Sequence, residues 1–254
     1  MLKRLQIDQC QGLKILPEGL GSLSSLEELE IQNCSNLLSL PEGIRCLTAL
    51  KILRISKISD QKMLPEGLGS LSSLEELQIG DCSNLSSLPE GIQRLTALKT
   101  LEISECPSLK TLPEGLGSLS SLEELRIGDC SNLSSLPEGI RRLTALKTLE
   151  ISECPSLKTL PEGLGSLSSL EELRIGDCSN LSFLPEGIRS LTALKMLKIS
   201  ECPSLKTLPK GLGSLSWIRK LEIWHCSNLS SLPKRIQHLA SLGVLEISDC
   251  PNLS

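Results

Sequence analysis

The sequence predicts an α/β solenoid: a right-handed, curved stack of short coils with a parallel β-sheet on its concave face and short helical or 3₁₀ turns on its convex face. Three observations carry that expectation. Leu-Pro recurs at Leu16, Leu40, Leu64, Leu88, Leu112, Leu136, Leu160, Leu184, Leu208 and Leu232, always 24 residues apart. A fixed period of this length marks a repeat architecture. Between markers the apolar residues fall in one pattern, as at Leu122, Leu125, Ile127, Cys130, Leu133 and Leu136. Finally, the chain has no Tyr, one Phe (Phe183) and two Trp (Trp217, Trp224). Leu and Ile must therefore fill a narrow, repetitive interior without the bulk that aromatics usually supply.

Each element follows from this unit. The Leu-x-Ile step has the period of a strand, so Leu125 and Ile127 face inward while Glu124, Arg126 and Gly128 face out. The chain turns after the Cys. Leu116 and Leu119, three apart behind Pro113 and Gly115, fit a 3₁₀ turn on the far side. One coil cannot bury its own leucines, so neighbouring coils stack into a continuous core. Two versions of the unit alternate, giving a 48-residue super-repeat. Residues 112–159 and 160–207 differ only at Ser135/Phe183, Arg142/Ser190, Thr148/Met196 and Glu150/Lys198. Residues 1–254 are read as one domain. Neither end shows a polar capping segment, which predicts a piece of a longer protein or end-to-end self-association.

Composition excludes several classes. The 26 basic and 30 acidic residues give a net charge of −4, with no basic footprint for nucleic acid. No apolar run approaches the ~18 residues of a membrane span, and the first residues lack the apolar stretch of a signal peptide. These features predict a cytoplasmic protein. Eleven cysteines occur, ten of them on one repeat position: Cys10, Cys34, Cys82, Cys106, Cys130, Cys154, Cys178, Cys202, Cys226 and Cys250, with Ile58 on the missing rung and Cys46 elsewhere. A Cys replaceable by Ile is a packing residue whose S–H can reach a turn carbonyl. No CxxC cluster suggests zinc, so no metal and no cofactor are expected. The Asn-Leu-Ser triplets at Asn84, Asn132, Asn180 and Asn228 match the glycosylation pattern but read as turn residues. His225 and His238 do not form a catalytic set that the abundance of Ser and acids would not produce by chance, and the chain is not expected to be an enzyme.

The phrases LEELRIGDCSNLSSLPEGI and ISECPSLKTLPEGL resemble leucine-rich repeats, and their length, Cys and trailing Leu-Pro resemble the repeats of plant nucleotide-binding leucine-rich-repeat disease-resistance proteins. The resemblance covers the whole chain. It implies protein recognition on the concave face, as a ligand-sensing or autoinhibitory region of an intracellular immune receptor. No GxxxxGK[ST] loop is present, so the switch of such receptors does not carry over. The Ras-group leucine-rich-repeat scaffolds share LPxxIxxLxxLxxL and form a second reading. A synthetic or decayed array without an evolved ligand is a third.

Candidate contacts lie on the third, fifth, seventh and eighth residues of each coil, counted from its first Leu. The fifth column alternates in charge from Glu102 to Arg174, which reads as a cross-strand charge ladder. The eighth column runs Asp81, Glu105, Asp129, Glu153, Asp177, Glu201, an acidic stripe that would either solubilise the edge or steer a basic protein partner. Late coils break the pattern with Met196, Lys198, Lys220, Glu222, Trp224, His225 and Val244. An exposed Trp among Met and Val suits a binding hot spot. Ile52 and Lys57 form a weaker deviation.

Overall fold

The computed structural model describes residues 1–58 and 64–254. Eleven five-residue strands, from β1 (Arg4–Asp8) to β11 (Val244–Ser248), form one parallel sheet in strict chain order. Each residue pairs with the one 24 positions on: Leu101 with Leu125, Ile103 with Ile127, Glu102 with Arg126. The unbroken phase of the sequence is therefore the register of the sheet. Residues three to seven of each unit make the strand, and the alternation of buried and partly exposed residues along it matches the Leu-x-Ile step.

The core consists of stacked rungs. Leu122, Leu125, Cys130 and Leu133 are fully buried, and the Leu-Pro leucine Leu136 is nearly so. The Cys rung is buried from Cys34 to Cys226, with Ile58 in series. Its thiols donate to the carbonyl two residues earlier, as from Cys106 to Ser104 at 3.2 Å and Cys154 to Ser152 at 3.2 Å. This closes the turn as expected, and all eleven cysteines are free thiols. Cys46 is exposed at the end of a convex turn. Asn132, Asn180 and Asn228 donate to the carbonyls of Pro107, Pro155 and Pro203 at 2.7 Å, tying each loop to the coil before it. The triplets are thus turn and stacking residues.

On the convex side Pro fixes the extended entry, and a 3₁₀ turn follows, as at Pro137 before Glu138–Arg142. Its donors need partners, and the preceding coil provides them. Glu114 accepts from the backbone N–H of Glu138 (3.2 Å) and of Gly139 (2.8 Å). Glu66 accepts from Gly91, and Glu186 from Lys210 and Gly211. The Glu of Leu-Pro-Glu is therefore an inter-coil cap. Glu114→Ala is expected to destabilise the chain by about 1 kcal/mol, measured by urea unfolding, while Glu114→Gln recovers part of the loss.

The last convex turn departs from this plan. Lys210 stands where Glu would cap, Arg235 stands where Gly lies in the other coils, and the turn shrinks to Ile236–His238. The outermost strands leave part of their apolar rows open, including Leu5, Ile7 and Leu245.

Candidate partner-binding surface

The concave sheet is a surface of outward side chains over a buried Leu/Ile layer. Its strands end at the seventh residue. The eighth residue of every coil has positive φ, between 47° and 56°. That left-handed conformation is costly for most side chains and easiest for Asn and Asp. Its N–H still reaches the next coil, as from Asp129 to the carbonyl of Ser152 at 3.1 Å. The acidic stripe therefore stands on the rim where the strands stop, not within the sheet. Glu105, Asp129, Glu153, Asp177 and Glu201 are exposed, and Asp81 is half-buried beside Lys57 at 3.9 Å. Crowding by Asp177 pushes the Glu201 carboxyl above its ordinary value, the sign expected of like charges on adjacent rungs.

The fifth-column ladder is only partly formed. Arg126 bonds Glu124 of its own strand at 2.5 Å and approaches Glu150 across the sheet only to 3.9 Å. Arg174 bonds Glu172 of its own strand at 2.8 Å. Arg54 bridges Glu28 and Glu76, both in the third column. The third column offers a carboxylate in alternate coils, and a long guanidinium reaches it two residues back on the same face. Cross-strand charge pairs form instead in the residue that precedes the third column. There Lys99 pairs with Glu75, Lys147 with Glu123 and Lys195 with Glu171, each at 2.6 Å.

Met196, Lys220 and Val244 are directly adjacent in register across β9 (Met196–Ser200), β10 (Lys220–Trp224) and β11. Lys198 adjoins Glu222 in the next column. The seven predicted contact residues thus form one patch. Its interior is more satisfied than the sequence implies. The Lys198 ammonium lies over the Trp224 ring, 4.6 Å from its centre, so Trp224 is partly covered rather than open. Glu222 is only 5 % exposed and accepts from Lys220 at 2.6 Å. That bond holds the Lys220 ammonium above its ordinary value. His225 is exposed and lies 3.2 Å from Asp249. Val244 is 38 % exposed. The open tryptophan is Trp217, 62 % exposed at the turn entering β10, a residue that a search of the concave columns passes over.

Gly80, Gly128 and Gly176, each between serines of the neighbouring strands, leave three shallow recesses along the concave face. The largest, over Gly128, holds about 380 Å³ and is walled by Glu102, Arg126, Glu150 and the acidic rim. All three are open. Among the described residues no group of three or more His, Cys, Asp or Glu could hold a metal ion, and no helix is long and apolar enough to cross a membrane.

A long, charged sheet whose recesses are shallow and open defines a recognition solenoid. The chain matches the leucine-rich repeat region over residues 1–104, 80–176 and 128–228, and it belongs to the leucine-rich-repeat family. That fold is a protein-interaction scaffold and generally non-enzymatic. Among solved structures it is similar to the leucine-rich-repeat domain of the type III effector XopL, at 27% identity and a TM-score of 0.71, covering 96% of this chain and 76% of that one. It is also similar in fold to Toll in the Drosophila Toll–Spatzle complex (21% identity, TM-score 0.67, 94% and 35% covered). The Arabidopsis receptor kinase HAESA, solved with a peptide hormone and a co-receptor, shares the fold as well (24% identity, TM-score 0.59, 96% and 46% covered). The chain spans less than half of those last two. No curated protein sequence matches it.

Proposed function

We propose that the concave face binds a protein partner, centred on Met196, Lys198, Lys220, Trp224 and Val244, and that the acidic rim from Asp81 to Glu201 steers a basic surface of that partner into place. The observation that carries this reading is that most of the concave departures from the repeat fall on one patch across β9, β10 and β11. Lys198 over Trp224 pre-orders a partly exposed aromatic anchor. An aromatic ring held this way loses little entropy on binding. Opposite charges along the rim raise the encounter rate more than the final affinity. Glu222 acts from beneath by positioning Lys220, and His225 with Asp249 borders the patch.

The repeat form of ISECPSLKTLPEGL supports a finer reading, the ligand-sensing or autoinhibitory region of an intracellular plant immune receptor. Toll and HAESA, solved as complexes with protein or peptide ligands, add that this fold accommodates such ligands.

The test is recovery of partners from plant leaf extract on the immobilised chain, with any enriched protein then purified and titrated calorimetrically. Trp224→Ala is expected to weaken that binding about 30-fold, the effect of losing a hot-spot residue, and Met196→Ala several-fold. Identical partner profiles for wild type and both variants would overturn the concave-patch reading.

A further inference from the structure

The second surface lies on the opposite side of the same coils. Residues 208–231 follow the unit of residues 160–183 with several charge changes: Glu162 becomes Lys210, Glu171 becomes Arg219, Glu172 becomes Lys220 and Asp177 becomes His225, while Arg174 becomes Glu222. The next coil adds Lys234 and Arg235, where earlier coils have Glu186 and Gly187. The chain is consequently polar along its axis. Residues 1–183 carry 17 basic and 25 acidic side chains, and residues 184–254 carry nine and five.

Among the described residues the cations of this convex side, Arg189, Lys210, Arg219, Lys234 and Arg235, form no ion pairs, and the carboxylate at hand, Glu186, is held by the backbone N–H groups of Lys210 and Gly211 at 3.1 and 3.3 Å. All of these cations are exposed. The 3₁₀ turn Lys210–Ser214 begins with one of them and lies between two others. A Cβ on Gly211 would lie 2.5 Å from that of Arg189, and one on Gly213 would lie 2.5 Å from that of Arg235, so the two arginines flank the turn. Arg219 ends the Lys–Glu ladder with a surplus charge. Its neighbours on that ladder are Lys195, already paired with Glu171, and Gly243. Beside it stands Trp217, 62 % exposed, in a column that otherwise reads Ser25, Ala49, Ser73, Ala97, Ser121, Ala145, Ser169, Ala193 and Ser241.

These replacements cost local structure. Lys210 removes the carboxylate that caps the next coil elsewhere, Arg235 removes the glycine that lets convex turns approach, and the turn that follows is shortened. Residues that break a local rule without an internal contact in return are the expected mark of an external one.

We propose that this convex corner, Trp217 with Lys210, Arg219, Lys234 and Arg235, docks a short acidic segment of a protein that carries an apolar side chain to cover the Trp217 ring. Charge complementarity selects the acidic occupant, and the single aromatic selects a segment with a hydrophobic anchor. The short length follows from the rest of the molecule. Eleven strands about 4.8 Å apart extend nearly 50 Å, and charges screen over about 8 Å in physiological salt. A bilayer or duplex laid along the chain would meet the acidic coils as well, whereas a short segment meets only the basic ones. The proposal is independent of the concave-face reading.

The experiment uses the full chain and a short fluorescent peptide of Asp and Glu with interspersed Leu, followed by anisotropy. Saturable binding is expected, weakening as salt shortens the screening length from about 30 to about 10 Å. The variant Lys210→Glu, Arg219→Glu, Lys234→Glu, Arg235→Gly restores the residues of the earlier coils, so it should fold at least as well as the parent. It is expected to lose peptide binding by about tenfold or more, and Trp217→Ser by roughly tenfold. Arg141→Gln with Arg142→Ser removes two convex cations from an earlier coil and is expected to leave binding unchanged. Absence of saturable binding, equal binding by the restored variant, or tighter binding to phosphatidylserine vesicles or duplex DNA than to the peptide would overturn it.

Discussion

Between pH 8 and pH 10 the chain is expected to lose about 4 kcal/mol of unfolding free energy through three of its buried thiols alone. Burial pushes Cys202 up to about 12 and Cys226 up to about 11, against an ordinary thiol value of 9.0, and raises Cys178 further. All three are fully buried. Cys106 and Cys130 move the same way, through their contacts with the neighbouring thiols Cys82 and Cys154 and through burial. A folded-state value above the unfolded one means a contribution that is complete below about pH 9. It is lost as pH rises toward the folded value, because the unfolded chain releases protons that the folded chain retains. Each such thiol costs about 1.4 kcal/mol per pH unit in that window. Urea unfolding at a series of pH values up to pH 10 measures it. Replacing Cys178, Cys202 and Cys226 by Val, after the apolar precedent of Ile58, should flatten the slope by about three protons. An unchanged slope would show that the rung ionises while folded.

The ladder that produces this effect was readable from spacing alone. A period of 24 fixes which residues stack, and two-residue alternation fixes which of them face inward, so the buried set from Leu16 to Leu229 follows almost residue by residue. What spacing does not fix is the path of long side chains. Arg126 and Arg174 have carboxylates both beside them and two residues back, and their torsions choose the latter. The rim position of the acidic stripe was hidden for a backbone reason: a left-handed turn ends each strand one residue sooner than the columns suggest. The Glu caps join residues 24 or 25 apart on convex turns, a contact set by the offset between coils rather than by any local pattern. Trp217 was legible as the one aromatic in a Ser/Ala column. It was missed because departures from the repeat were sought on the concave face, where partners of the fold are expected. Lys198 over Trp224 could not be read at all, since it depends on a diagonal reach between two strands.

The tightest constraint in the molecule is a contact between two glycines, and replacing one of them is expected to cost as much as emptying part of the core. A Cβ on Gly165 would lie 2.2 Å from the backbone oxygen of Gly187 and 2.9 Å from its carbonyl carbon. Gly117 meets Gly139 in the same way at 2.3 Å. No rotamer relieves such a clash, so two convex turns must separate, and their buried side chains, Leu164 and Ile188, lose close packing. Gly165→Ala should therefore destabilise the chain by about 3 kcal/mol, comparable to Leu164→Ala, whose cavity is expected to cost roughly 2–5 kcal/mol. Gly19 is the first glycine of the same Glu-Gly-Leu-Gly-Ser motif in which Gly165 is the second, and a Cβ there meets nothing within 4 Å, whereas one on Gly21, the equivalent of Gly165, would lie 2.6 Å from the Gly43 oxygen. No glycine in the described chain has positive φ, so Gly19→Ala strains no backbone. It should stabilise by about 0.5 kcal/mol through the unfolded state. Opposite signs at the open first glycine of the terminal turn and the crowded second glycine of an inner turn, read by urea unfolding, would show that the second glycine is present for approach between coils. Equal effects at the two sites would refute that. Arg235 is subject to the same constraint. It stands where Gly187 and Gly139 make this contact, its own coil has the shortened turn, and Arg235→Gly should recover stability while removing one of the unpaired cations of the convex corner.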